Sequence, residues 1–257
     1  MRLFGAHIGG QLECSAAAVS NDSGPAVQGE HLHVEGNAVL RGDFTAQRDG
    51  AVWLRWAHIG GWLDCSGATI TTASGYALQA GAMRVAGSVL LNAGFTAHGD
   101  NERGAVRLTA ARIGIQLDCS GATITNSCGP TVHGERLQVG GDVFLRAGFT
   151  AEGKGELDTV RLTGAHIGGH LDCSGAVVTS RSSPQHRWSL DGLTYPRLPL
   201  DPFGRGTAGW LDLLRPPPRF PAADQVELNS CINSPSVVNG TSLTGLGSNG
   251  RSDRQLF

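Results

Sequence analysis

The chain of 257 residues is poor in charge, poor in aromatic side chains and free of long apolar runs. Charged residues make up 16% and the net charge is −2. That balance offers neither the basic footprint that nucleic acid requires nor the acidic field of a nucleic-acid mimic. No stretch approaches the ~18 uninterrupted apolar residues of a transmembrane helix. The opening residues, MRLFGAHIGG, lack the charged start and apolar run of a secretory signal. These absences place the chain by default in the cytoplasm, where thiols stay reduced. The six cysteines include no C-x-x-C pair, which removes the usual zinc spacing. The doublet IGG is not a dinucleotide fingerprint, because no G-x-G-x-x-G stands after a strand and before a helix.

Glycine and repetition are what the chain has in excess. Its 38 glycines are about twice the ordinary share. One phrase occurs four times: AHIGGQLECSAAAV from Ala6, AHIGGWLDCSGATI from Ala57, ARIGIQLDCSGATI from Ala111 and AHIGGHLDCSGAVV from Ala165. A cousin phrase lies between the copies: HLHVEGNAVLRGDFTA from His31, AMRVAGSVLLNAGFTA from Ala82 and RLQVGGDVFLRAGFTA from Arg136. The unit is therefore a half-repeat of roughly 25 to 28 residues. Within it the apolar residues alternate in short pairs, such as Leu117/Cys119 and Ala122/Ile124. Alternation places both members on one side of an extended segment, and this much glycine would cost a helix ~1 kcal/mol per residue. The pattern predicts an all-β fold, a right-handed β-helix (β-solenoid) of about seven coils, each pairing only with its neighbours.

Four inward columns follow from aligning the half-repeats. They begin at Ala6/Leu32, Ile8/Val34, Leu12/Ala38 and Cys14/Leu40, and all stay apolar down the chain. Bulk also compensates between columns, as close packing demands. The recurring cysteines Cys14, Cys65, Cys119 and Cys173 read as small inward filler. Equivalent copies two coils apart would be ~9.6 Å from each other at ~4.8 Å per coil, beyond the ~7 Å reach of a disulfide. Cys128 falls in an inter-coil loop and Cys231 in the tail. The carboxylates Glu13, Asp64, Asp118 and Asp172 lie between inward residues and so face out, as a solvated face rather than a glycosidase pair. A second outward column reads His7, His33, His58, Arg84, Arg112, Gln138, His166. Its three leading histidines raise the question of a metal or a pH-sensitive patch, against a plain polar column. The column Gly10, Gly36, Gly61, Gly87, Ile115, Gly141, Gly169 is expected to mark a corner with positive φ. Thr69/Thr71 and Thr123/Thr125 form doublets on alternate coils, short of the unbroken ladder of an ice-binding face.

The organisation expected is a β-solenoid over residues 1–180, a Pro-rich cap and short helix over 181–220, and a disordered tail over 221–257. Trp188 and Leu190 are expected to lay a last half-coil over the C-terminal end, and TAGWLDLLR from Thr207 to form the helix.

The phrases VRLTGAHIGGHLDCSGA, GGDVFLRAGFTAEG, WSLDGLTYPRL and GWLDLLR resemble repeat proteins of high-GC bacteria, labelled membrane-associated oxidoreductases or uncharacterised. The resemblance covers roughly residues 1–220. It implies a solenoid, then a helical segment and, in longer members, membrane spans and membrane association. It carries over no catalytic residue. At fold level the chain is similar to bactofilins and pentapeptide-repeat proteins, though strict A-[DN]-L-x-x pentads are missing. Relative to that family the chain starts in mid-repeat and loses the helical continuation after Pro221, as a truncated or frameshifted member would.

The function expected is a non-catalytic structural or scaffolding solenoid, with no catalytic, cofactor or metal residues assigned. Self-association is expected through residues 1–20, because Met1 enters the inward pattern at Leu3 without a cap. The alternatives are a pentapeptide-repeat-like binding module acting on a topoisomerase or another protein, and the oxidoreductase of the family label, for which no residue speaks. No nucleic-acid partner is expected.

Overall fold

The structure is a computed structural model that describes residues 1–21, 24–47, 51–155, 158–181 and 187–195. Its described part is an all-β parallel solenoid without a helix. The first coil contains four very short strands: β1 (His7–Ile8), β2 (Leu12–Glu13), β3 (Ala18–Ser20) and β4 (Val27–Gln28). Each opens a seven-stranded parallel sheet, so seven rungs stack with about six turns separating the first from the last. No helix among the described residues is long and apolar enough to cross a membrane.

Strands of two residues cannot persist alone, and the ladder between coils holds them. His33 and Glu35 donate from their backbones to the carbonyls of Ala6 and Ile8, at 2.8 and 2.9 Å. The register is uninterrupted: His7 pairs with His33, His33 with His58, and so on to Gln138 with His166. All four inward columns are in place, and Leu32, Val34, Leu63, Cys65, Met83 and Leu91 are fully buried.

Two further inward columns come from the β3 sheet. Phe44, Phe95 and Phe149 are buried on alternate rungs, with Ala68 and Ala122 between them. Ala46, Ala97 and Ala151 alternate with Ile70 and Ile124 in the next column. Hence there are two kinds of coil. One fills its interior with Cys, Ala and Ile (Cys65, Ala68, Ile70), the other with Leu, Phe and Ala (Leu91, Phe95, Ala97). Each phenylalanine thus stands over a cleft left by the alanines above and below it, and interior density is kept.

The glycine column behaves differently from its expectation. None of Gly10, Gly36, Gly61, Gly87, Gly141 or Gly169 has a positive φ. Their constraint is close approach. A Cβ on Gly36 would lie 2.9 Å from the Gly10 carbonyl oxygen, and one on Gly87 2.8 Å from that of Gly61. One positive-φ corner sits five residues earlier, at Gly5, His31, Trp56, Ala82, Ala110, Arg136 and Gly164, and a second recurs at Ala16, Gly42, Gly67, Ala93, Gly121, Ala147 and Gly175. At the first a tight turn closes, with Ala57 donating to the Leu54 carbonyl at 3.1 Å. The residue at i+2 takes φ near +56°, at a cost of ~1–2 kcal/mol wherever it is not glycine.

At the C-terminal end Trp188–Ser189 adds the last strand of the β4 sheet, and Trp188 and Leu190 pack partly on the core. Thr194 bridges to His166. The expected helix from Thr207 and the tail over 221–257 lie outside the described residues.

The alternation of coils makes one substitution diagnostic. Phe95→Ala places three alanines in a vertical row and leaves a cavity that neighbouring coils cannot close. It is expected to cost about 3–5 kcal/mol in chemical denaturation, and a loss below about 1 kcal/mol would show that the phenylalanine stack is not the core.

Candidate functional site

The repeated carboxylates are corner elements. The Asp64 side chain accepts the Ser66 backbone N–H at 3.0 Å and its hydroxyl at 2.5 Å. Asp118 does the same with Ser120, at 2.9 and 2.6 Å, and Asp172 accepts the Ser174 N–H at 3.0 Å. Glu13 accepts from Ser15 in the first coil. The D-C-S phrase is thus an Asx turn with an inward cysteine at its centre. The neighbouring coil supplies a second partner: Arg41 at 3.9 Å from Asp64, Asn92 at 2.8 Å from Asp118, and Arg146 at 2.9 Å from Asp172. Burial raises the Asp172 carboxyl, but Ser174 and Arg146 outweigh it and hold the group below its usual range.

Cys65, Cys119 and Cys173 are buried, and burial pushes each thiol far up, reinforced by the preceding carboxylate. Cys14, on the first rung, is half-buried and raised for the same reasons. Cys128 is exposed in its loop, and desolvation with the Asp100 carboxylate beside it pushes its thiol up to about 11. Cys231 lies outside the described residues.

The histidine column stands on the outer surface of the β1 sheet. The rings of His7 and His33 stack at 4.7 Å and 14°, and His33 meets His58 at 4.9 Å and 40°. His7 also reaches the Glu35 carboxylate at 3.1 Å. Among the described residues no three His, Cys, Asp or Glu side chains group so as to hold a metal ion. Further along come Arg84 and Arg112 on adjacent rungs, then Gln138 and His166, whose Nδ1 lies 2.7 Å from the Thr194 hydroxyl. Beside this column the positive-φ corner carries Trp56, stacked on His31 at 4.9 Å and covered by the Arg55 guanidinium at 4.1 Å. On the other side the surface falls to Gly60, Ala86, Gly114 and Gly140. Two shallow grooves of about 360 and 450 Å³ result, sharing His58, Arg84 and Arg112.

Three features were not read from the sequence. Thr45, Thr69, Thr96, Thr123 and Thr150 form an unbroken outward column on five rungs. The phrase alignment hid it because FTA and ATI were not set in register. Its companion column carries the Glu152–Arg181 ion pair and His98, so the face is not a uniform hydroxyl lattice. Asn126 is fully buried; its amide donates to the Asn101 and Pro130 carbonyls at 2.8 and 2.7 Å and pins two inter-coil loops. His133 is buried on the β4 sheet, where desolvation lowers its pKa and its Nδ1 sits 2.7 Å from the Arg103 carbonyl. Single residues outside a repeating phrase leave no periodic trace.

Set against known proteins, the chain matches no family model, no curated protein and no solved structure.

Two outcomes follow. With a thiol reagent on the native protein, mapped by mass spectrometry, Cys65 and Cys119 stay unlabelled until denaturant is added, while Cys128 labels at alkaline pH. Rapid native labelling of Cys65 and Cys119 would place them outside the core. Because the folded carboxyl of Asp172 titrates below the unfolded value of ~3.9, its contribution is present above that value and is lost as pH falls through the folded one. Asp172→Asn is therefore expected to flatten the acid limb of a pH–stability curve below about pH 4, and an unchanged limb would contradict the pairing.

Proposed function

We propose that the protein is a non-catalytic structural solenoid that associates with a second copy of itself through its first rung. The carrying observation is the asymmetry of the two ends. The end strands of each sheet pair on one side only at both ends, and the difference lies in what covers the apolar residues beneath them. Leu3, Ile8, Leu12, Ala17 and Val19 are only partly covered, whereas Val34, Ala38, Phe44 and Ala46 one rung in are buried. An edge of unpaired backbone groups above apolar side chains templates another strand. At the other end Trp188, Leu190, Leu193 and Tyr195 pack over the last rung. A head-to-head dimer is the arrangement this difference favours.

Two observations support a non-catalytic reading. The recurring carboxylates are engaged in corners, and three of the recurring cysteines are packed inward. The resemblance to proteins labelled membrane-associated oxidoreductases adds no residue that would carry electron or hydride transfer.

Sedimentation velocity tests the association. The average mass is expected to rise with concentration across the micromolar range, and Ile8→Lys with Leu12→Lys to return the protein to monomer with unchanged circular dichroism. A wild-type monomer at every concentration would overturn the proposal.

A further inference from the structure

The outer face of the β1 sheet has a charge and a shape that the stacking of coils does not account for. Arg84 and Arg112 are exposed on adjacent rungs, and among the described residues neither guanidinium is in an ion pair or a hydrogen bond. Arg41, Arg146 and Arg181, by contrast, all reach a carboxylate. From Arg55 through Gln116 the outward positions of this face hold no acidic residue. The nearest carboxylates on the flanking rungs are engaged: Glu35 with His7, Glu135 with Arg136, and Asp142 with His170. A chain of net charge −2 therefore keeps a cationic strip on one face. Like charges on neighbouring rungs repel, so two unpaired arginines cost stability where they stand.

Shape narrows the ligand. The strip borders grooves running across several rungs, floored by Gly114 and Gly140, where a Cβ would strike the coil beneath. An open trough fits a linear chain rather than a compact molecule. Composition narrows it further. On either side of the two arginines the rungs carry His58, Gln138 and His166, side chains that both donate and accept hydrogen bonds. Polyphosphate has no hydroxyl along its length to meet these imidazoles and this amide, and a nucleic-acid strand has few. Successive bases would also need stacking platforms, and the exposed aromatic here, Trp56, is already faced by His31 and Arg55. Carboxylates spaced among hydroxyls match the row: forked guanidinium–carboxylate pairs at Arg84 and Arg112, and hydroxyl hydrogen bonds at the imidazoles and the amide.

We propose that this face binds an acidic polysaccharide segment, with Arg84 and Arg112 taking uronate carboxylates and His58, Gln138 and His166 taking hydroxyls. The site is independent of the first rung and of self-association.

Isothermal titration of the full chain with an oligogalacturonate, beside a neutral oligoglucan of equal length, is the test. Binding of the acidic oligomer alone is expected. It should weaken about tenfold for each of Arg84→Ala and Arg112→Ala, as for a lost charge-assisted hydrogen bond. Arg112→Lys should retain part of the affinity, and Arg146→Ala, on another face, all of it. Circular dichroism verifies that each variant is folded. Equal binding of the neutral oligomer, no binding of either, tighter binding of polyphosphate, a single-stranded oligonucleotide or anionic vesicles, or indifference to Arg84 and Arg112 would each overturn the proposal.

Discussion

Everything in this protein depends on the parallel hydrogen-bonded ladder between consecutive coils. Most of the strands are two residues long, and none has a hydrophobic face wide enough to stand alone. The ladder fixes register, and register turns a periodic sequence into columns of like position. Once His7 lies over His33 and Leu12 over Ala38, every other residue of the coil has its height and its side assigned. The same constraint explains the glycines. At Gly36, Gly87 and Gly141 the coils approach so closely that a Cβ would meet the carbonyl oxygen below, at 2.9, 2.8 and 2.5 Å.

A second constraint, constant cross-section, sets the two-coil period. A coil with Phe95 and Leu91 must sit between coils with Ala68 and Cys65 on one side and Ala122 and Cys119 on the other. This is why the phrase recurs about every 54 residues although the structural unit is half as long. It is also why cysteine returns at the same place: a small side chain is needed there, and its carboxylate neighbour closes the corner with the following serine. Polar groups bound in this way stabilise the scaffold. What they leave on the surface is an unpaired pair of arginines, Arg84 and Arg112, beside a trough lined by Gly114 and Gly140.

The columns through Ala6, Ile8, Leu12 and Cys14 were legible because a strict period of two and a strict repeat act together on them. The histidine column was legible for the same reason, since it alternates with two of those columns. Gly10 and its equivalents were placed correctly but given the wrong cause. Recurrence of glycine signals a constraint without saying whether it is a dihedral angle or a close contact. The positive-φ corner five residues earlier has glycine only at Gly5 and Gly164; its other copies, His31, Trp56, Ala82, Ala110 and Arg136, give no turn signal. The threonine column was missed because Thr45 and Thr96 belong to one phrase and Thr69 and Thr123 to the other. Asn126 and His133 act through loops that are not repeated.

The most direct test of the stacked-coil account is a set of spin-label distances along one outward column. Ser20, Thr125 and Thr179 occupy the same column on the first, fifth and seventh rungs. With labels on Ser20 and Thr125 the backbone separation is expected near ~19 Å, and with Ser20 and Thr179 near ~29 Å, rising by ~4.8 Å per rung. Narrow distributions that scale with the number of rungs are the predicted result. Distances that ignore rung count, or broad distributions in a folded protein, would contradict it.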